Sequence, residues 1–167
     1  MNEETTEMLR LLEADGPHPE SRDELMLYGQ FAGSWLVHNR FRDGEVWHEE
    51  NREWRFGWVL DGRGVQDVLA NLDGSGDVLA AAGTTVRVYD PALSAWHVHW
   101  FGPVRGIYCT LLGRAAGDEI HQEGMRSDGL SIRWNFTDIT PESFRWLGFV
   151  AEGDEWRLEQ EMHARRR

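Results

Sequence analysis

The chain is poor in the features that usually announce a function. It has one cysteine, Cys109, so no intrachain disulfide is available, and a reducing compartment fits that usage best. No stretch approaches the length of a transmembrane helix. The segment Met1 to Arg10 carries three glutamates and no apolar run, which reads as neither signal peptide nor anchor. The expected location is therefore cytoplasmic. Positive charge is also scarce, with 17 Lys and Arg against 29 Asp and Glu and a net charge of −12. A nucleic-acid binder needs clustered cations to displace counterions, and an anionic membrane surface repels such a chain. Only Arg165-Arg166-Arg167 departs from this, and it reads as a frayed basic end. There is no P-loop, no Gly-x-Gly-x-x-Gly after a strand and no Gly-x-Ser-x-Gly around Ser34. Gly74-Ser75-Gly76 reads as a turn.

Aromatic residues, by contrast, are plentiful. Nine of the 167 residues are Trp, seven of them between Trp35 and Trp134. A Trp-rich interior is either plain core or the wall of a pocket for a ring-containing ligand.

Two helical pieces are expected first. Glu3 to Ala14 places Met8, Leu11 and Leu12 on one face, and Asp15-Gly16-Pro17-His18-Pro19 breaks it. Ser21 with Glu24 predicts a capping box for a second helix, whose apolar side is Leu25, Met26, Tyr28 and Phe31. From Gly33 the period changes to two. Asp43-Gly44, Asp61-Gly62, Asp73-Gly74 and Asp128-Gly129 are hairpin signals. About ten strands follow at intervals of roughly ten residues, and nothing between them suits a βαβ crossover. Several strands alternate sharply. Trp96, Val98 and Trp100 oppose His97 and His99; Leu130, Ile132, Trp134 and Phe136 oppose Ser131, Arg133, Asn135 and Thr137; Trp156, Leu158 and Met162 oppose Arg157, Glu159, Glu161 and His163. A closed sheet gives this pattern and removes exposed edges; a sandwich gives the same alternation, and the barrel is the preferred of the two. The expected fold is a mainly-β antiparallel barrel over residues 33–167, with residues 1–32 as a helical segment closing one end, all in a single domain.

Gly33-Ser34-Trp35, opening the first strand, resembles the Gly-x-Trp of the lipocalin and calycin superfamily. Trp54-x-Phe56-x-Trp58, the run Asp61 to Val68, Tyr89-Asp90-Pro91 through Trp96 and Trp100, Arg133-Trp134-x-Phe136 and Trp156-Arg157-Leu158 through Met162 are similar to a bacterial group of lipocalin-like domains of unassigned function. The resemblance spans roughly residues 31–165. It implies a barrel with a central cavity, and it carries no reaction with it.

Candidate chemistry is sparse. His97 and His99 share a strand face, as a metal site requires, but the apolar alternation puts them outside and no acid follows within reach; no metal or other cofactor is expected. His48, Glu50 and Arg52 share a phase with Trp54, Phe56 and Trp58 and can orient a polar ligand end or move a proton, unless a bulge leaves them solvated. Either Gln66 or Asp67 must face inward, and the phase leaves this open; a buried Asp67 needs a partner such as Arg52 or Arg126. Asn39, Gln122, Arg126 and Gln160 fall in phase with apolar residues and are candidate orienting groups. Cys109 reads as a buried, inert thiol.

Three functions follow from this. The first is binding of a small apolar or aromatic molecule, with Trp35, Trp54, Phe56, Trp58, Trp96, Trp100 and Trp134 as walls and Asn39, Gln66, Asp67, Gln122 and Arg126 orienting it. The second is a cofactor-independent cyclase or isomerase in the same cavity, with His48, Glu50 or Asp67 as acid–base group. The third is an interaction protein with a filled core, the His97 and His99 face then being a candidate homodimer surface.

Overall fold

The computed structural model describes all residues, 1–167. Ten long strands run as an antiparallel meander: β2 (Gly33–Asp43), β3 (Val46–Val59), β4 (Gly64–Leu72), β5 (Val78–Asp90), β6 (Ala95–Gly102), β7 (Ile107–Ala116), β8 (Glu119–Arg126), β9 (Ser131–Thr137), β10 (Ser143–Glu152) and β11 (Glu155–Arg166). Each pairs with its sequence neighbour, and β11 returns to β2, so the sheet is a closed barrel. This is the mainly-β barrel that the period-two patterning predicts. Gly44, Gly62, Gly117, Gly129 and Gly153 sit at turns with positive φ, the backbone state that the Asp-Gly and Gly-Asp signals foretell.

The N-terminal segment differs from expectation in two ways. Helix α1 (Glu3–Leu12) forms, but none of its residues is buried, and Met8, Leu9 and Leu11 are exposed. Its apolar face therefore closes nothing. The residues after it form a two-residue strand, β1 (Glu13–Ala14), which pairs with Val59 and Trp58 of β3 beyond the point where β2 begins. Second, the capping box at Ser21 is not made. A 3₁₀ turn (Pro19–Ser21) leads directly into α2 (Arg22–Gly29), and Ser21 makes no side-chain cap bond. His18 Nδ1 instead accepts the backbone N–H of Glu20 at 3.2 Å.

Helix α2 is the plug. It buries Leu25, Tyr28 and Gly29, with Phe31 just beyond its end, whereas Met26 stays exposed. Phe31 stacks on Phe136 at 4.9 Å and packs on Phe144 at 4.8 Å. Trp35 donates from Nε1 to the Phe31 carbonyl at 2.8 Å, tying the first barrel strand to the plug. Phe56, Trp96, Phe136 and Phe144 complete an aromatic mass that fills the closed half of the barrel.

The inward phase is now fixed for each strand. On β4 it is Val65, Asp67 and Leu69; Gln66 lies on the opposite face and donates to Thr84 Oγ1. On β11 the predicted phase fails past Gln160. A bulge at Glu159 lets Gly148 pair with Gln160 and Phe149 with Leu158. The extra residue flips every side chain towards the β10–β11 turn. Trp156, expected inside, is exposed on the outer face with the Arg133 guanidinium 4.1 Å above its ring.

Candidate functional site

The open half of the barrel holds a cavity of about 200 Å³. Trp54, Leu69, Trp100, Trp134, Trp146 and Met162 make its apolar wall. Inward alternation on six different strands brings them together, and Trp134 and Trp146, neighbours across β9 and β10, have ring centroids 5.2 Å apart. Gly102 and Gly148 also line it, where larger side chains would meet the Trp100 and Trp146 indoles.

The floor, next to the aromatic plug, holds an ion pair. Asp67 and Arg87 are 0% and 1% exposed, and Arg87 Nη1 donates to Asp67 Oδ2 at 2.6 Å. Asp67 Oδ1 accepts the backbone N–H of Thr85 at 3.0 Å. The guanidinium carbon lies 5.1 Å from the Tyr28 ring, 5.5 Å from Phe56 and 5.8 Å from Phe136. Burial pushes the Tyr28 hydroxyl far above its ordinary range, against a smaller opposing pull from Arg87, so it stays protonated. It donates to Gln122 Oε1 at 2.9 Å, and Gln122 donates to the Trp134 carbonyl at 3.0 Å. Two buried donors on cavity-lining residues, Arg87 Nε and Trp54 Nε1, have no hydrogen-bond partner.

The rim is polar. Gln160 donates to Asn39, Asn39 to Glu50 and Arg52 to Glu50, at 2.8, 3.1 and 2.6 Å, in one chain across β11, β2 and β3. Arg126 binds Glu159 at 2.6 Å and Asp128 at 2.9 and 3.0 Å. The hydrogen bond from Arg126 holds the Asp128 carboxyl below its usual range. Arg105, on the turn between β6 and β7, lies over Phe41 at 5.2 Å and pairs with no carboxylate.

Of the residues expected to form a site, Asn39, Trp54, Trp100, Arg126 and Trp134 line the cavity, as does Gln160. Trp35, Phe56, Trp96 and Gln122 lie in the filled half, Asp67 sits beneath the floor behind Arg87, and Trp58 packs beside Gly29 at the plug. Gln66 is outside the wall. His48 is exposed and stacks on Phe41 at 5.4 Å. His97 is exposed on the outer face, 2.9 Å from Asp90, and no group of three or more His, Cys, Asp or Glu side chains is placed to hold a metal.

Arg87 escaped the sequence reading, and Arg52 and Arg126, the partners expected for Asp67, bind Glu50 and Glu159 instead. The signal at Arg87 pointed the wrong way. Val86 and Val88 flank it, and an apolar-in rule puts them inside and the arginine out. Trp146, Leu69, Met162, Glu159 and Arg105 were also missed; Glu159 reaches the cavity only because of the bulge.

No protein-family model matches the chain, and a search of curated proteins finds no match. Thirteen chains of solved structure do match. Among them is Rv2717c from M. tuberculosis, with a TM-score of 0.62 and 16% identity over 90% of this chain and 99% of that one. At that identity the likeness speaks for the fold alone: the chain shares a closed antiparallel β-barrel with Rv2717c.

Proposed function

We propose that the protein binds a small, largely apolar molecule of one or two rings in the open half of its barrel. The observation that carries this reading is the division of the interior. One half is filled by aromatic side chains, and the other is a cavity of about 200 Å³ walled by four tryptophans. A filled-core interaction protein has no use for that second half. Size sets the ligand class. An apolar cavity of roughly 150 Å³ accepts benzene, so this one suits a substituted ring or a fused pair and is too small for a long folded polyene. Preformed walls limit the ordering cost, and desolvation of flat rings against Trp faces supplies affinity.

The binding reading ranks above the cyclase or isomerase because the acid–base candidates are occupied. Asp67 is held by Arg87 and the Thr85 amide, Glu50 by Asn39 and Arg52, and His48 stands in solvent. A general acid or base must reach the reacting proton, and none of the three lines the cavity.

Native mass spectrometry of protein purified from its own host tests the reading. A bound compound of one or two rings, released on denaturation, is the expected result. A clean apo mass, together with no binding of naphthalene-sized compounds in equilibrium dialysis, overturns it.

A further inference from the structure

One end of the barrel is filled by α2 and its aromatic partners, so the way into the cavity is the other end. Two side-chain bridges cross that end. Arg105, on the turn between β6 and β7, holds its guanidinium carbon 5.2 Å from the centre of the Phe41 ring. Phe41 lies on β2, two residues beyond the cavity-lining Asn39, and β2 stands almost opposite β6 and β7 in the ring of strands. The contact therefore spans the mouth. The second bridge starts from the next hairpin. Arg126, the last residue of β8, donates to Glu159 of β11 at 2.6 Å, with β9 and β10 between them in the sheet. Arg105, Arg126 and Glu159 all line the cavity. Both bridges land on neighbouring strands, β2 and β11. The bulge that turns Glu159 inwards is what supplies the second one.

Both bridges can break at small cost. Residues 103–106 make no backbone hydrogen bond beyond the closing Gly102–Ile107 pair. The turns on either side at this end are laced instead: Asp73 accepts from the amides of Ser75 and Asp77, and Asp128 from that of Leu130. Gly106, at φ +67°, gives the β6–β7 turn a pivot without a Cβ. Arg105 pairs with no carboxylate, and a guanidinium–ring contact at an exposed site is weak. Opening the second bridge strands no charge. Arg126 keeps Asp128 at 2.9 Å, and Glu159 is already partly exposed.

Resting on the reading of the cavity as a ligand site, we infer that the two bridges are a gate. Arg105 with Phe41, and Arg126 with Glu159, hold the β6–β7 and β8–β9 turns against the β2–β11 side of the mouth. Ligand enters and leaves when these turns swing away, and its rings lie beneath the closed bridges. Entry and exit cross the same barrier, so the gate sets both rates, as mobile loops do elsewhere. A residue that only touches the ligand acts mainly on the dissociation rate.

Stopped-flow fluorescence with 1-aminonaphthalene, a neutral two-ring compound whose emission shifts to the blue in apolar surroundings, measures both rates. Arg105→Ala removes the first bridge and is expected to raise association and dissociation together, about two- to fivefold. Glu159→Gln weakens the second, leaves Arg126 its Asp128 partner, and is expected to raise both about tenfold. In the double variant the two factors are expected to multiply, because one opening breaks both bridges. Thermal unfolding reports that each variant is folded. Phe41→Cys with Arg105→Cys, joined by a short bis-maleimide and checked by mass, is expected to stop the exchange of probe loaded beforehand; Cys109 is buried and spared. Unchanged rates in the single variants overturn the gate. So does a rise in dissociation alone, which marks a lost ligand contact, and so does free exchange in the joined variant. In each of these cases the probe still binds and the cavity reading stands. Failure of the parent protein to bind the probe overturns both the gate and the reading on which it rests.

Discussion

At Asp67 and Arg87 the interior holds charge where ten strands of Trp, Phe and Val suggest only apolar packing. The pair is shielded from water, so the bonds between its members are strong, but each ion has also lost its hydration. The consequence is asymmetric. Asp67→Asn leaves the Arg87 guanidinium buried without its counterion and is expected to cost about 3–5 kcal/mol, read from urea unfolding. The double variant Asp67→Leu with Arg87→Met removes both charges and is expected to recover most of that loss. A single variant within about 1 kcal/mol of the parent would mean that water already reaches the pair. Cys109 offers a second residue-level test. Burial pushes its thiol up to about 12, with a smaller opposing effect from Arg126. Thiolate is the reactive form, so alkylation by iodoacetamide at pH 8 is expected to be slower in the folded protein by roughly a thousandfold than in urea. Comparable rates would show that β7 opens readily.

Among the elements, α2 decides what the barrel can hold, because its packing against the closed end leaves the void at the other. Its last residue, Gly29, faces the Trp58 indole so closely that an added Cβ would overlap Cη2 and Cζ2. Helix propensity favours Gly29→Ala by about 1 kcal/mol, while forcing Trp58 aside costs about 1–3 kcal/mol. The second effect is the larger, so the variant is expected to be less stable and its plug displaced. A stabilised variant, measured by thermal unfolding, would show Trp58 free to move. Tyr28→Phe acts at the same element. It leaves Gln122 Oε1 without its donor and is expected to destabilise by about 1–3 kcal/mol. Because Tyr28 does not line the cavity, ligand affinity in a still-folded variant is expected to change little.

The whole molecule is closed by β11 pairing with β2, which brings together the two ends of the barrel sequence. Glu161 sits on this seam. It accepts from Arg40 on β2 at 2.6 Å and from Arg145 on β10 at 3.1 Å. Burial pushes its carboxyl up, but the hydrogen bonds from Arg145 and Arg40 outweigh this and hold it below the usual carboxylate range. On β3, Glu53 is lowered for a related reason: burial opposes, and Arg55 and Arg167 prevail. A carboxyl depressed by folding contributes stability that is fully present above its unfolded value of about 4.3 and disappears as pH falls through the folded value. Acid is therefore expected to loosen the seam below about pH 4.3. Glu161→Gln is expected to lower stability at pH 7 and to flatten its dependence between about pH 5 and 2. An unchanged slope in urea midpoints across that range would remove Glu161 from the seam.

The strand number, the antiparallel order and most of the inward phase were legible in the chain, because period-two alternation and Asp-Gly turns are local signals that hairpin geometry obeys. Trp100 and Trp134 could be placed on the inner wall by that rule alone, whereas the face of the strand that carries Trp54 stayed open. Other features depend on what lies across the strand. The outward turn of Trp156 follows from a bulge whose register is set by Gly148 and Phe149 on β10. The choice between Gln66 and Asp67 was made by Arg87, an inward charge hidden between two valines. The exposed face of α1 has the same periodicity as a buried one, and only the path of β1 along β3 shows that it was left outside. The sequence by itself determined a mainly-β, antiparallel, Trp-rich and cysteine-poor domain, since these follow from composition and spacing; that the sheet closes as a barrel rather than splitting into a sandwich was decided by the pairing of β11 with β2. Only the tertiary structure decided which half is filled and which is hollow, since that depends on how far the α2 plug and its aromatic partners reach into the barrel.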